Sequence, residues 1–411
     1  MNPLLSIIIP TRNRYEYLYS CLFSLLENYN DLNVEIILHD NSTDIMPLNV
    51  QEIIKTNPII KYYKIEGWIS GWENFERAIG LSSGQYLTMI GDDDSLSKYL
   101  LDAVHFMIHN DVDALNAPFA HYVWPDIQSR VFKKSFSGKM EIPKFNGEVR
   151  ELSVDIEINK LLDKGGTSLV ELPRMYYGIV KREIIEKVKE SSGCYIPGPS
   201  PDMANAVSMA MYVNKLYFAD FPLFLAGNSS KSTAGMGAKG EHIGKIENIA
   251  SLPKDCSLNW STLVPKYWSG PTFWAESATK ALEKTGNKRH LKEFNYIRLY
   301  ANCLVFNPSW KKATWFSLNH YTQTFDRNKF VVLFELYFYI IMVWANRFRM
   351  LLKNSISVIN KIFFGKKNNH FVKNVYEASL VLNKKLYALS KTSALFNYIK
   401  IHILILSVCN L

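Results

Sequence analysis

The feature that most constrains this chain is a switch of hydrophobic period, repeated along its first hundred residues. Residues 4–9 form a continuous Ile-rich apolar run, as a parallel strand buried on both faces requires. Residues 15–26 then place Leu18, Leu22, Leu25 and Leu26 at helical spacing. A second β-branched run covers 34–38, a short helical pattern 50–54, and a third strand 59–65. Residues 72–81 are helical up to a Ser82-Ser83-Gly84 stop, and 86–90 make a fourth strand. This alternation, with short connections, predicts βαβ units with right-handed crossovers and a mainly parallel sheet.

Polar residues gather where those strands end. Thr11-Arg12-Asn13 follows the first, Asp40-Asn41 the second and Asp92-Asp93-Asp94 the fourth. All lie at carboxyl ends of parallel strands, the edge where open α/β sheets bind ligands. Three adjacent carboxylates repel one another unless a cation neutralises them. Hard oxygen ligands suit Mg²⁺ or Mn²⁺, bridging to nucleotide phosphates, although Gly-Asp is also ordinary turn chemistry. Asp40 can accept hydrogen bonds from a base or a ribose hydroxyl, or simply shape a turn with Asn41, Ser42, Thr43 and Asp44. Arg12 and Arg14 can face phosphate, but their loop lacks the glycines of a phosphate cradle, which argues against a P-loop, a dinucleotide fold or a sugar nucleotidyltransferase. Ser200-Pro201-Asp202 fits a helix start on capping grounds alone. Its functional reading is a general base held at that start and aimed at an acceptor hydroxyl. His242 is a candidate to approach a metal, against the plainer reading of a surface histidine.

Charge is unevenly placed. The formal net charge is +9, yet residues 326–411 hold 13 Lys+Arg against 3 Asp+Glu, leaving 34 basic and 35 acidic groups elsewhere. A near-neutral body without a basic-aromatic stripe excludes nucleic acid as the expected partner. Within the basic tail, residues 330–345 (FVVLFELYFYIIMVWA) are apolar but contain Glu335 and fall short of the about 20 residues a spanning helix needs. Flanked by Arg347, Arg349, Lys353, Lys361, Lys366 and Lys367, they predict an anchor on anionic lipid, with a buried helix or a true span as alternatives. A second apolar piece, 400–408, is too short to span. Five scattered cysteines suit a reducing compartment, and the opening run is too short and too uncharged for a signal peptide. Further along, 113–120, 176–180 and 217–226 are predicted strands, and 181–191 and 203–213 helices. Residues 227–240 are expected to form a mobile loop or linker, and 241–325 a small helical unit.

Taken in order, several pieces resemble a family 2 glycosyltransferase of bacterial surface-polysaccharide synthesis. Ile7-Ile8-Ile9-Pro10-Thr11-Arg12-Asn13-Arg14 is similar to that family's opening strand and P-T-x-N-R turn. Asp40-Asn41-Ser42-Thr43-Asp44 resembles its D-[DN]-x-S-x-D, and Gly71, Asn74, Ala78 and Ser83-Gly84-Gln85-Tyr86 its next helix and strand. Gly91-Asp92-Asp93-Asp94 is similar to its D-x-D motif. The resemblance implies an α/β, GT-A (Rossmann-like) fold: a mixed, mainly parallel sheet flanked by helices, with a helical C-terminal region. With the hydrophobic and charge pattern above, it divides the chain into three expected units: 1–235 for the nucleotide-sugar domain, 236–325 for a small helical domain and 326–411 for basic, amphipathic membrane-associating helices.

The same resemblance implies an inverting glycosyltransferase using Mn²⁺ or Mg²⁺ and a UDP- or dTDP-sugar donor. The acceptor would be a lipid-linked oligosaccharide of the O-antigen or capsule type. The enzyme would be cytoplasmic and peripheral on the anionic inner face of the cell membrane. Asp40 would bind the nucleoside and Asp92 the ribose or sugar side, with Pro10, Thr11, Arg12, Asn13, Asn74 and Asp93 as further donor contacts. Asp94, with Asp92 and His242, would hold the metal. Asp202 lies where the family places its catalytic base, here preceded by Pro201 rather than by an acidic residue. Two alternatives stand beside this reading: a non-catalytic membrane adaptor retaining the fold, and a sugar nucleotidyltransferase.

Overall fold

A computed structural model describes residues 3–29, 33–127, 137–232, 243–249, 252–364 and 371–390. The expected strands are present as β1 (Leu5–Thr11), β2 (Val34–Asp40), β3 (Ile60–Lys64) and β4 (Tyr86–Met89). After them come β5 (Ser95–Leu96), β6 (Ala114–Asn116), β7 (Phe119–Val123), β8 (Lys139–Glu141), β9 (Val149–Leu152), β10 (Gly178–Lys181), β11 (Leu216–Ala219) and β12 (Phe224–Asn228). Eight form one mixed sheet in the order β3-β2-β1-β4-β10-β6-β11-β9, and β5-β12-β7-β8 form a second. The first four are mutually parallel, β10 runs antiparallel to β4 and β6, and β9 antiparallel to β11. Helices flank the sheet, so the α/β class with a mainly parallel first half is as expected.

The topology itself locates a ligand crevice. From β1 the chain steps outward through β2 and β3, then returns to place β4 on the other side of β1. The carboxyl ends of β1 and β4 therefore straddle a topological switch point, the position at which open α/β sheets bind ligands. Close packing below holds these strands in register. Ser6 donates to Glu35 (2.6 Å), and Glu35 accepts from the amides of Ser83 and Gly84. A Cβ at Gly84 would lie 2.6 Å from the Ser6 amide nitrogen, so only glycine lets the turn before β4 lie against β1.

Three expectations are corrected. The predicted strand 217–226 is two strands, β11 and β12, in different sheets, parted at Asp220-Phe221-Pro222, where proline has no amide for a ladder. The predicted strand 113–120 likewise divides at Pro118 into β6 and β7. The supposed loop or linker 227–240 begins inside β12, and its residues 233–240 lie outside the described residues.

Helices Gly270–Lys284, Tyr296–Phe306, Lys311–Thr324 and Lys329–Phe364 share a second core around Val264, Tyr267, Leu299 and Tyr300. That core extends through Met203 and Val207 of helix Pro201–Ala210, so the helical part is continuous with the element carrying Asp202. The tail is not one uniform stretch of membrane-seeking helices. Helix Val375–Ser390 buries Val375, Ala378, Leu382 and Leu386 in the first core, where Asn383 accepts from the Lys98 amide (3.1 Å) and donates to Asn28 (3.1 Å). Its apolar stripe faces helix Tyr15–Asn28, with the Phe23 and Tyr376 rings edge to face at 4.8 Å.

This docking gives a measurable consequence. Leu382→Ala is expected to lower unfolding free energy by about 2–5 kcal/mol in urea titration, as a buried leucine truncation does. Leu380→Ala, on the exposed side of the same helix, should change it by less than about 0.5 kcal/mol. Equal effects at the two positions would contradict the docking.

Candidate active site

At the switch point, Asp92, Asp93 and Asp94 turn inward between β4 and β5 and are nearly or fully buried. Thr11, the last residue of β1, donates its hydroxyl to Asp92 Oδ2 (2.6 Å). Arg14, at the start of helix Tyr15–Asn28, sets its guanidinium 3.0 Å from Asp92 Oδ1 and 2.7 Å from Asp93 Oδ2. Ser229, just beyond β12, gives Asp93 Oδ2 both its amide (3.2 Å) and its hydroxyl (2.6 Å). Asp94 takes the amides of Gly91 (2.6 Å) and Gly227 (2.7 Å) and the hydroxyls of Tyr177 (2.8 Å) and Tyr176 (3.2 Å). A Cβ on Gly227 would fall 1.8 Å from the Asp93 carbonyl oxygen, so β12 can approach the acidic turn only through glycine.

Three carboxylates face one guanidinium, and the shortfall is visible in the proton affinities of Asp92 and Asp94. Burial raises the pKa of Asp92, with Arg14 opposing it and Asp93 adding repulsion. Burial and the Asp93 charge likewise raise Asp94, against the amide and tyrosine bonds. Burial also opposes the charge on Arg14, but Asp92 and Asp93 outweigh it and hold its pKa above the usual arginine value. Asp92 Oδ1 is buried and accepts no aligned hydrogen bond, although Arg14 stands beside it. Such a net negative, oxygen-lined site suits a hard divalent cation. Among the described residues no group of three His, Cys, Asp or Glu is arranged to hold an ion. Mg²⁺ in nucleotide sites takes one or two carboxylates and completes its shell with substrate phosphates and water. Of the expected ligands, Asp92 Oδ1 accepts no aligned hydrogen bond, while Asp94 Oδ1 accepts the Gly227 amide (2.7 Å).

The other expected residues divide into wall and scaffold. Asp40 is fully buried, and its oxygens accept from Tyr15 (2.6 Å), Tyr62 (2.9 Å) and the Ser42 amide (2.7 Å), with Lys64 at 3.3 Å. Burial alone would raise its pKa, but these hydrogen bonds outweigh burial and lower it. Asn13, in the left-handed region at φ 53°, holds the 42–44 loop by accepting from the Thr43 and Asp44 amides. Asn74 pairs with His39 and donates to the Thr11 carbonyl (3.3 Å). Pro10 and Arg12 are half-buried at the same edge, and Arg12 has no hydrogen bond or ion pair among the described residues. His242 lies outside the described residues.

Asp202 sits in the first turn of helix Pro201–Ala210, where Pro201 occupies the first helical position. The Ser200 side chain makes no capping bond; instead its amide donates to Ser277 of the helical part (2.8 Å). Burial pushes the Asp202 carboxyl up to about 6, with Arg174 pulling the other way. Tyr176, which donates to Asp94, has its phenol pKa raised by burial and by the charges of Asp94, Asp93 and Asp202, and makes no hydrogen bond to Asp202. Sequence reasoning passed over Tyr176, Tyr177, Gly227 and Ser229. Ser229 carried a usable signal, since it follows an apolar run as Thr11 does; the tyrosines look like any core aromatics.

Residues 6–153 match the family model described as glycosyl transferase family 2. A Campylobacter jejuni protein named GalNAc(5)-diNAcBac-PP-undecaprenol beta-1,3-glucosyltransferase is 29% identical over 141 residues, 33% of this chain and 43% of its own length. Abequosyltransferase RfbV of Salmonella typhimurium is 31% identical over 115 residues, 27% of this chain and 34% of its own. The chain thus spans less than half the length of these curated relatives. Among solved structures, S. aureus TarS 1-349 in complex with UDP-GlcNAc aligns at TM-score 0.44 and 14% identity, covering 80% of this chain and 93% of that one.

Removing the cation that pairs with Asp92 and Asp93 tests the charge argument. Arg14→Met is expected to cost about 3–5 kcal/mol of stability at neutral pH, because it strands buried carboxylates. Carboxyls with raised folded-state pKa values favour the folded protein as pH falls. The deficit of Arg14→Met in urea titrations should therefore shrink in mild acid, and a pH-independent deficit would contradict this account.

Proposed function

We propose that the chain transfers a sugar from a nucleotide-sugar donor to a hydroxyl of a lipid-linked glycan, with inversion at the anomeric carbon. The donor is a UDP- or dTDP-sugar, and the setting is O-antigen or capsule-type synthesis at the inner face of the cell membrane. The observation that carries this reading is the buried, charge-deficient Asp92–Asp93–Asp94 turn at the switch point, within the segment that matches the family 2 model. Support for a lipid-linked acceptor comes from the undecaprenol diphosphate in the name of the Campylobacter relative.

In this reading the donor lies along the carboxyl edge of the sheet. Its nucleoside end is toward Asp40 and Asn74, and its diphosphate is toward Asp92 and Asp94. A divalent ion, when bound, supplies positive charge to the departing diphosphate. Tyr176, Tyr177 and the amides of Gly91 and Gly227 keep Asp94 oriented, and Arg14 keeps Asp92 and Asp93 compact. Asp202 takes the proton of the acceptor hydroxyl as that oxygen bonds to C1 and the C1–phosphate oxygen bond breaks. A carboxylate with a pKa near 6 suits this task, since it is ionised at neutral pH yet basic enough to accept the proton.

Asp202→Asn is expected to lower kcat by about 10²–10⁴-fold while nucleotide affinity stays unchanged, as loss of a general base should. In the wild type, kcat/KM should rise with pH through about 6 as Asp202 deprotonates. Wild-type turnover in Asp202→Asn would remove it from the mechanism. A non-catalytic adaptor would instead bind nucleotide with no sugar transfer in either protein.

A further inference from the structure

Helix Lys329–Phe364 is predominantly apolar over Lys329–Leu352, 24 residues with mean hydropathy 1.5, longer than the 16-residue run alone suggests. By length and composition this stretch could cross a membrane. One side is covered: Val332, Leu336 and Val343 pack into the second core. The opposite stripe, Phe330, Phe334, Tyr337, Ile341, Trp344 and Phe348, follows the helical step and is 52–83% exposed. A buried-helix reading is therefore excluded for this stretch. Contiguous apolar surface of this extent marks an interaction site.

Charge names the partner. Glu335, the one acid in the stretch, is paired with Arg327 at 2.7 Å. Residues 336–376 then contain seven Lys or Arg and no Asp or Glu, and 294–325 contain no acid either. Beside the exposed stripe, a groove of about 470 Å³ opens against the end of helix Tyr296–Phe306, lined by Leu304, Val305, Pro308 and Ile340. Arg347 stands in its wall, 5.2 Å from the Phe306 ring centre and 5.1 Å from that of Trp344. Among the described residues it pairs with no carboxylate. An arginine fixed between two aromatic rings above an apolar groove matches a lipid, with its phosphate on the guanidinium and its chains below.

We propose that this stripe lies flat in the surface of an anionic phospholipid bilayer, with Phe334, Ile341 and Phe348 among the acyl chains and Arg347 on a lipid phosphate. The proposal deepens the reading of a membrane-bound acceptor and rests on it only for its biological sense. A spanning placement is disfavoured by the packing. Helix Tyr296–Phe306 covers the inner side, and its Arg298, bonded to Asp163, would be drawn toward the hydrocarbon with it.

The test is flotation of the full chain with neutral phosphatidylcholine vesicles and with vesicles also containing phosphatidylglycerol. The wild type should float with the anionic vesicles and be released by high salt. The triple variant Phe334→Ser, Ile341→Ser, Phe348→Ser should lose about tenfold or more of this binding. Arg347→Gln should lose about fivefold on anionic vesicles and little on neutral ones. All three serine positions are exposed, so thermal midpoint and nucleotide binding should match the wild type and certify folding. Undiminished flotation of the triple variant overturns the proposal. So does a wild-type dimer in detergent-free sedimentation that the same substitutions dissociate, because the stripe would then face a second copy. Sugar transfer to a soluble acceptor is scored separately: its absence with flotation intact would count against the enzyme reading alone.

Discussion

Everything at the ligand edge depends on burying three adjacent carboxylates beside one arginine. That arrangement is electrostatically unfavourable unless several chain segments converge to solvate it. Thr11 ends β1 and Arg14 lies in the turn after it, Gly91 comes from the acidic turn itself, Tyr176 and Tyr177 from the approach to β10, Gly227 from β12 and Ser229 from just beyond it. The two sheets are thereby joined at one point, since Asp94 precedes β5 of the second sheet while Asp92 faces β1 of the first. Even so, the donors leave the cluster short of positive charge, as the raised pKa values of Asp92 and Asp94 record. That deficit of positive charge is what the proposed cation and its anionic ligand would meet.

The two helical additions serve this edge from opposite sides. Helix Gly270–Lys284 fixes the start of helix Pro201–Ala210 through Ser277, and so fixes where Asp202 stands. Helix Val375–Ser390 lies across helix Tyr15–Asn28 and the second sheet, behind the segments that carry Arg14 and Gly227. Between them in sequence runs the exposed apolar helix. The chain thus leaves the sheet domain, presents an apolar stripe and returns with helix Val375–Ser390 to the core of that domain.

Much of the sheet and much of the site could be read from residue order. Buried parallel strands announce themselves as continuous apolar runs, and polar residues at their ends mark the ligand edge without further help. Thr11, Asp92, Asp93 and Asp94 do meet, whereas Asp202 makes no hydrogen bond or ion pair to them among the described residues. What stayed hidden is what apolar pattern alone does not encode: the identity of the opposite surface. Val375, Leu382 and Leu386 look the same whether they face lipid or helix Tyr15–Asn28. Tyr176 and Tyr177 look like core residues until the fold aims their hydroxyls at Asp94. Arg14, read as a phosphate contact, instead faces the neighbouring carboxylates. The prolines at 118 and 222 were visible in the sequence and did mark strand breaks.

The central claim is that this acidic turn binds a divalent ion and a nucleoside diphosphate as one unit. Calorimetric titration of Mn²⁺ in the presence and absence of UDP or dTDP, on the wild type and Asp94→Ala, tests it directly. The account predicts weak Mn²⁺ binding alone, tight binding once the nucleotide is present, and loss of that coupling in Asp94→Ala. Nucleotide binding that is equally tight without the ion and unaffected by Asp94→Ala would contradict it.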